Sequence, residues 1–351
     1  MVADFWTGKA VLTGGLFLSR MNTLYPFLML PGFDPRPWGT HNLAPIYPNH
    51  KFEQKIGEAW LTGDECKVAN GPWAGQTLAQ LSERYQRDLV GDAARDPGRF
   101  PLLLKFLFPH EKLSVQVHPD DVQAHRVGQP WGKTECWYVA HANPGAQIAL
   151  GLKPGVSAAQ FERSIHENRA EDFLNWIDVF AGDMIYVAGG TVHTLGPGSI
   201  IVETQQQSDT TYRLYDYGRP RELHLKDGLA AVKEKVASGK VVRALSNGNE
   251  SSGHSPLISA PYFVVDLFQA KEPVMQRTRD ESRKSSVQIL VAIDGCGVVE
   301  APGTEAVTLA KGDAVVVPAC LEEFTVRPQW TLDFIRAYVP GNALPEPRTT
   351  L

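Results

Sequence analysis

Gly182-Asp183-Met184-Ile185-Tyr186-Val187-Ala188-Gly189-Gly190-Thr191-Val192-His193 is the stretch on which the fold turns. A Gly-Asp pair reads as a turn, the apolar run that follows as a short strand, and the glycine pair as a loop ending on a histidine. The layout recurs as Gly312-Asp313-Ala314-Val315-Val316-Val317-Pro318, with Cys320 and Glu323 in the places of Gly190 and His193. One copy keeps a histidine and the other does not.

Both copies resemble the second sequence motif of the cupin family, G-x5-P-x-G-x2-H, which belongs to a metal-binding β-barrel. Ala188 stands where proline is usual in the first copy, and the second keeps Pro318. The resemblance implies a mainly β protein built as a bicupin, with one live site, one dead site and a few helices in the N-terminal half.

The rest of the chain agrees in texture. With 31 glycines and 25 prolines in 351 residues, most apolar runs are short and bounded by turn formers. Strands are expected at 102–108, 113–118, 135–140, 184–187, 199–205 and 211–217, then at 262–268, 286–293, 297–300, 314–318 and 330–338. Helices are expected at 78–89, 120–126, 158–167 and 225–236, with Ser157 as an N-cap for the third. Residues 246–255 (SNGNESSGHS) are polar and free of large apolar groups, which reads as a linker. The expected division is an N-terminal extension over 1–20, a catalytic cupin domain over 21–245, and a degenerate cupin-like β domain over 256–351. Met21 reads as an alternative start.

A net charge of -5 gives no global attraction to nucleic acid or anionic membrane, so an anionic ligand must be held by local cations. Four scattered cysteines without a CxxC pair read as free thiols in a reducing cytoplasm. No apolar run reaches the roughly 20 residues that span a bilayer.

Leu113-Ser114-Val115-Gln116-Val117-His118 alternates with period two, so Ser114, Gln116 and His118 share one face and three apolar residues share the other. In a barrel, such a polar face can converge on a ligand. Glu135 follows on the next strand and His193 arrives from the Gly-Asp unit. Singly, each has an ordinary reading as a core or solvated side chain. Together with the motif around His193 they form an N/O set suited to one zinc ion, with Gln116, His118, Glu135 and His193 as ligands.

Lys105 interrupts an apolar run, and an unpaired buried ammonium costs several kcal/mol. It must reach water, an acidic partner or an anionic ligand. Period two places Ile201, Glu203 and Gln205 on one face, and Thr211, Arg213 and Tyr215 on one face of the next strand. A surface ion pair between Glu203 and Arg213 would contribute little. Near a metal, the same two groups would be a proton-transfer carboxylate and a charge stabiliser.

Ile56–Trp60, Pro101–Lys105, Leu113–Asp121 (LSVQVHPDD), Gly132–Val139 (GKTECWYV), Gly182–His193 and Glu203–Arg219 (ETQQQSDTTYRLYDYGR) carry a closer likeness. Over about two thirds of its length, the chain is similar to the zinc-dependent type I mannose-6-phosphate isomerases in their shorter bacterial form. The resemblance implies interconversion of mannose 6-phosphate and fructose 6-phosphate. It places zinc on Gln116, His118, Glu135 and His193, makes Arg213 the catalytic arginine, and sets Lys133 and Glu203 beside the metal. Lys105, Ser114 and Arg219 fall on phosphate-binding positions, and Glu58 and Trp38 on others around the site. The helical insertion of longer members is absent, and Trp38-Gly39-Thr40 departs from their Trp-Gly-Gly. Two rival readings share the ligand set: a metal cupin isomerase of another sugar or sugar phosphate, and a non-catalytic sugar-binding bicupin.

Overall fold

The computed structural model describes residues 24–242 and 253–351. The expected extension over 1–20, Met21 and residues 246–252 of the expected linker lie outside the described residues, while His254 and Ser255 open a strand, His254–Ser259, rather than closing a linker. The described chain is mainly β, in sheets of nine, eight and five strands. No described helix is long and apolar enough to cross a membrane.

The eight-stranded sheet has Leu102–Leu107, Ser199–Gln206, Glu135–Ala142 and Met184–Val187 at its centre, in that order. The five-stranded sheet runs Tyr212–Tyr215, Val115–Val117, His193–Leu195, Gln147–Leu152 and Leu174–Asp178. Leu107, Val139, Ile185 and Ile201 from the first sheet share one buried cluster with Ile148, Leu150 and Leu195 from the second. Val115 and Val117 point the other way, into a cluster with Phe161 and Ile165 of helix Ala158–His166. Burying side chains of that size contributes ~1.5–3 kcal/mol each, which fixes the face that Gln116 must take. Ser157 caps the helix through a capping box with Gln160, as expected.

The nine-stranded sheet gathers the C-terminal strands, chiefly Gln288–Glu300 and Glu323–Tyr338. Sheet membership crosses the boundaries expected from the sequence. Phe27–Leu30 lies in the nine-stranded sheet, with Phe27 opposite Val316, while Thr349–Thr350 pairs with Gly239–Val241 at the edge of the eight-stranded one.

Several expected elements change shape. The 78–89 helix breaks at Gln86, whose φ of 45° ends helix Leu78–Tyr85 before Arg87–Val90 begins. The 225–236 helix stops at Ala231. The strands expected at 286–293 and 297–300 are one bulged strand. Gly32–Thr40, unexpected because it holds Pro35 and Pro37, is the other edge of the eight-stranded sheet, where proline interrupts few ladder bonds.

Candidate active site and metal-binding group

Antiparallel pairing sets His193 opposite Gln116, and Gln116 opposite Arg213. The neighbouring sheet sets Glu135 opposite Gln205, and Glu203 opposite both Lys105 and Trp137. These registers bring together side chains far apart in sequence. His118, Glu135 and His193 are buried, and one potential ligand atom from each lies within 4.8 Å of the others.

His118 Nδ1 lies 3.0 Å from the Thr210 carbonyl and His193 Nδ1 2.9 Å from the Thr191 carbonyl. Each Nδ1–H therefore donates to backbone, leaving the Nε2 lone pairs to converge on Glu135, at 3.6 Å and 3.4 Å. Gln116 Nε2 is 3.2 Å from His193 Nε2, and a half-turn of the amide would set Oε1 in the same place. Burial, aided by the nearby Lys133 charge, holds the His118 imidazole well below its ordinary pKa, and burial lowers His193 to about 4. Both rings are thus neutral, the state a metal requires. Neither Glu135 oxygen accepts a well-directed hydrogen bond, although Lys133 Nζ lies 3.3 Å from Oε2. Burial first, then the charge of Glu203, pushes the Glu135 carboxyl up to about 8. Two imidazole nitrogens, an under-satisfied buried carboxylate and an amide fit a borderline divalent ion such as zinc.

Beside this group is a cavity of about 400 Å³, lined among others by Trp38, Ser114, Gln116, Lys133, Glu203 and Arg213. A sugar phosphate fits that size. Glu203 accepts a 2.9 Å hydrogen bond from Trp137 Nε1 and sits 3.2 Å from Lys105 Nζ. Burial alone would raise its pKa, but the ammonium groups of Lys105 and Lys133 outweigh burial and keep it ionised. Lys105 also lies 3.3 Å from Glu58, which Lys105 and Arg36 hold at about 2 against the opposing effect of burial. Acidic partners therefore resolve the buried ammonium of Lys105.

Arg213 faces the cavity with Nη1 donating to the Glu222 carbonyl at 2.8 Å, while its Nε is buried without a partner. The Glu203–Arg213 ion pair considered from the sequence does not form. A bulge between Arg213 and Tyr215 also undoes the expected common face, and Tyr215 packs against the outer cluster. Ser114 and Lys105 line the cavity, whereas Arg219 is not among its lining residues and donates to the Lys112 carbonyl at 2.5 Å, with Nη1 buried and unpartnered.

Residues 37–132 match the model of the family described as phosphomannose isomerase type I, catalytic domain. Mannose-6-phosphate isomerase ManA of Bacillus subtilis (strain 168) is 39% identical over 318 residues, covering 86% of this chain and 96% of that protein. The chain belongs to the mannose-6-phosphate isomerase family. A crystal structure of the mannose 6-phosphate isomerase from Bacillus subtilis superposes with a TM-score of 0.78 at 30% identity, over 89% of this chain and 99% of that one. A zinc-bound mannose 6-phosphate isomerase shares the fold at 15% identity, with a TM-score of 0.70 over 91% of this chain and all of that one (100%).

For a member of this family, sequence reasoning missed Arg36, Asp209 and Arg221, which also line the cavity. Arg36 holds Glu58 at 3.0 Å and Asp34 at 2.8 Å, and Arg221 grips Asp216 with two 2.7 Å bonds. Arg36 lies in a proline-flanked run and Arg221 just past the Tyr-Gly-Arg motif, so only the carboxylates facing them mark them out.

Proposed function

We propose that this member of the family interconverts mannose 6-phosphate and fructose 6-phosphate, with one zinc ion held by Gln116, His118, Glu135 and His193. The observation that carries this reading is the convergence of two tautomer-fixed histidines on a buried, under-satisfied Glu135 beside a cavity lined by Gln116, Lys133, Glu203 and Arg213. Aldose–ketose isomerisation removes a proton beside a carbonyl and returns it one carbon away, through an enediolate. Zinc in this site would act as a Lewis acid that stabilises the developing negative charge.

The chain's own groups supply the rest. Glu203 is ionised and fixed by Trp137 and Lys105, which suits it to accept and return the carbon-bound proton. Lys133 stands 3.2 Å from His118 Nε2 and 3.3 Å from Glu135, placing an ammonium beside the reacting oxygens. Arg213 adds a fixed positive charge with an unused Nε–H, an effect that is strongest where water is excluded. The phosphate end is read at Ser114, which lines the cavity, while Lys105, which lines it too, is already held between two carboxylates and acts through Glu203, and Arg219 lies outside the lining. We read the C-terminal sheet as a second cupin-like unit without a ligand set.

A coupled assay on mannose 6-phosphate, run alongside zinc quantification, tests the reading. Activity is expected to vanish with chelator and to return with zinc. Full turnover in verified metal-free protein would refute the role given to zinc, and turnover of another sugar phosphate alone would move the substrate.

A further inference from the structure

Lys133 lies on a short segment, Gly132–Thr134, just ahead of strand Glu135–Ala142, and side chains outside the reaction pin its backbone. Gly132 N–H donates to Asp121 Oδ1 at 2.9 Å, Lys133 N–H to the Pro119 carbonyl at 2.9 Å, and Thr134 N–H to Gln206 Oε1 at 2.9 Å. Gln206 grips from both ends: its N–H donates to the Thr134 carbonyl at 3.2 Å, and its Nε2 to Asp121 Oδ1 at 2.9 Å. Asp121 Oδ2 accepts from Arg95 at 2.7 Å and from the Tyr262 hydroxyl at 3.2 Å, and Tyr262 leads into strand Val264–Ala270 of the nine-stranded sheet.

The loop before His193 is tied to the same place, with Gly189 N–H donating to Thr134 Oγ1 at 3.2 Å. A Cβ at Gly132 would meet the Asp120 carbonyl carbon at 2.5 Å, and one at Gly189 would meet Asp120 Cα at 2.7 Å. Both loops are pressed onto the residue that caps helix Asp121–Arg126.

We propose that Gln206 and Asp121, with Tyr262 closing the network from the nine-stranded sheet, are positioning residues that hold the Lys133 ammonium in place between His118, Glu135 and Glu203. The proposal rests on the isomerase reading above. Thr134 is buried, and without the Gln206 side-chain Oε1 its N–H is orphaned at a cost of about 1–3 kcal/mol. The segment relieves that cost by shifting, and a misplacement of about 1 Å in an active-site group can cost on the order of a hundredfold in rate. Glu135 is spared because it is the first residue of the strand and pairs with Gln205 and Val187 in the ladder. The metal group therefore stands without the latch, and Lys133 does not.

The test uses the full chain loaded with zinc. Gln206→Met keeps the shape and removes the side-chain Oε1 and Nε2 bonds to Thr134 and Asp121, while the backbone N–H bond to the Thr134 carbonyl stays. Zinc per chain is expected to stay unchanged while kcat falls about tenfold or more. Combined with Lys133→Ala, it should slow the enzyme no further than Lys133→Ala alone, because the two act as one unit. Tyr262→Phe, a milder change in a half-buried residue, should lower kcat about two- to threefold through the same route and serves if Gln206→Met does not fold. Full kcat with only a lowered Tm, independent multiplication of the two losses, or loss of zinc would overturn the proposal. An inactive wild type would instead overturn the isomerase reading.

Discussion

The two Gly-Asp units are the same turn built twice, and among the described residues only the first leads to the candidate His/Glu/His group. Gly182 and Gly312 both have φ of 90°, a left-handed conformation that glycine adopts without strain. Asp183 accepts from Phe180 N–H at 2.9 Å, and Asp313 from Ala310 N–H at 3.0 Å. Asp183 also takes a backbone bond from Val139, just as Asp313 takes one from Ala292. In this shared register Val187 faces Glu135 in the first unit, whereas Val317 faces Gln288 in the second. Glu323, at the position corresponding to His193, is exposed. The interior beyond is apolar, with Leu290, Val299, Leu309, Phe324 and Phe334 in one cluster. Scaffold and chemistry are thus separable: the turn persists wherever the strand it launches must be buried, and the ligands persist only where something is held.

The largest test of that contrast is Glu135→Gln, which gives the first unit the residue of the second. It is expected to abolish zinc binding and lower kcat on the order of a thousandfold or more. A variant that keeps its zinc would show that the carboxylate is not what separates the units. Next comes Lys105→Met, which removes the cation shared by Glu58 and Glu203 and leaves Glu58 paired with Arg36 alone. A loss of ~3–5 kcal/mol in stability is expected in denaturant titration, as for a broken buried ion pair. A small loss confined to the KM for phosphorylated sugar would restore Lys105 to the phosphate. Arg213→Ala should cost ~10²–10³ in kcat with zinc content unchanged, and near-normal turnover would remove it from the chemistry.

The pH response separates the units more gently. The fold raises the Glu135 pKa to about 8, so in metal-free protein it favours the protonated carboxyl. That contribution to stability is full below the unfolded value of 4.5 and is lost as pH rises through about 8. Zinc must displace the proton, so its affinity should weaken as pH falls below about 8, as a chelator competition series would register. A flat series from neutral to alkaline pH would mean that the carboxylate is already ionised. The smallest effect is expected from Gln288→Leu. Gln288 Oε1 is buried without a partner while Nε2 donates to the Ser286 carbonyl, so losing the amide should change stability by no more than about 1 kcal/mol and leave turnover intact. A loss of isomerase activity would mean that the second unit still contributes to the first.

What could be read from sequence follows the range of the forces involved. Alternation around Gln116 was legible because Val115 and Val117 bury on one face whatever lies opposite. The Gly-Asp turns were legible because their geometry is local. The site residues could be placed on strands by period two, but the charge balance could not: that Lys105 meets Glu58 and Glu203, and Arg213 the Glu222 carbonyl, depends on strand neighbours far along the chain. The bulge that turns Tyr215 away has no sequence mark of its own. Gly32–Thr40 was hidden by prolines that only an edge position excuses, and Phe27–Leu30 by a partner at the opposite end of the protein.

That last pairing is reciprocal. A strand from near the beginning of the described chain is woven into the late sheet, and the final strand into the early one, like the two ends of a belt each tucked through the other's loop. Neither half can loosen without tearing a strand from its neighbour. Heat or denaturant should therefore release both in one step, and a chain nicked between them should stay whole.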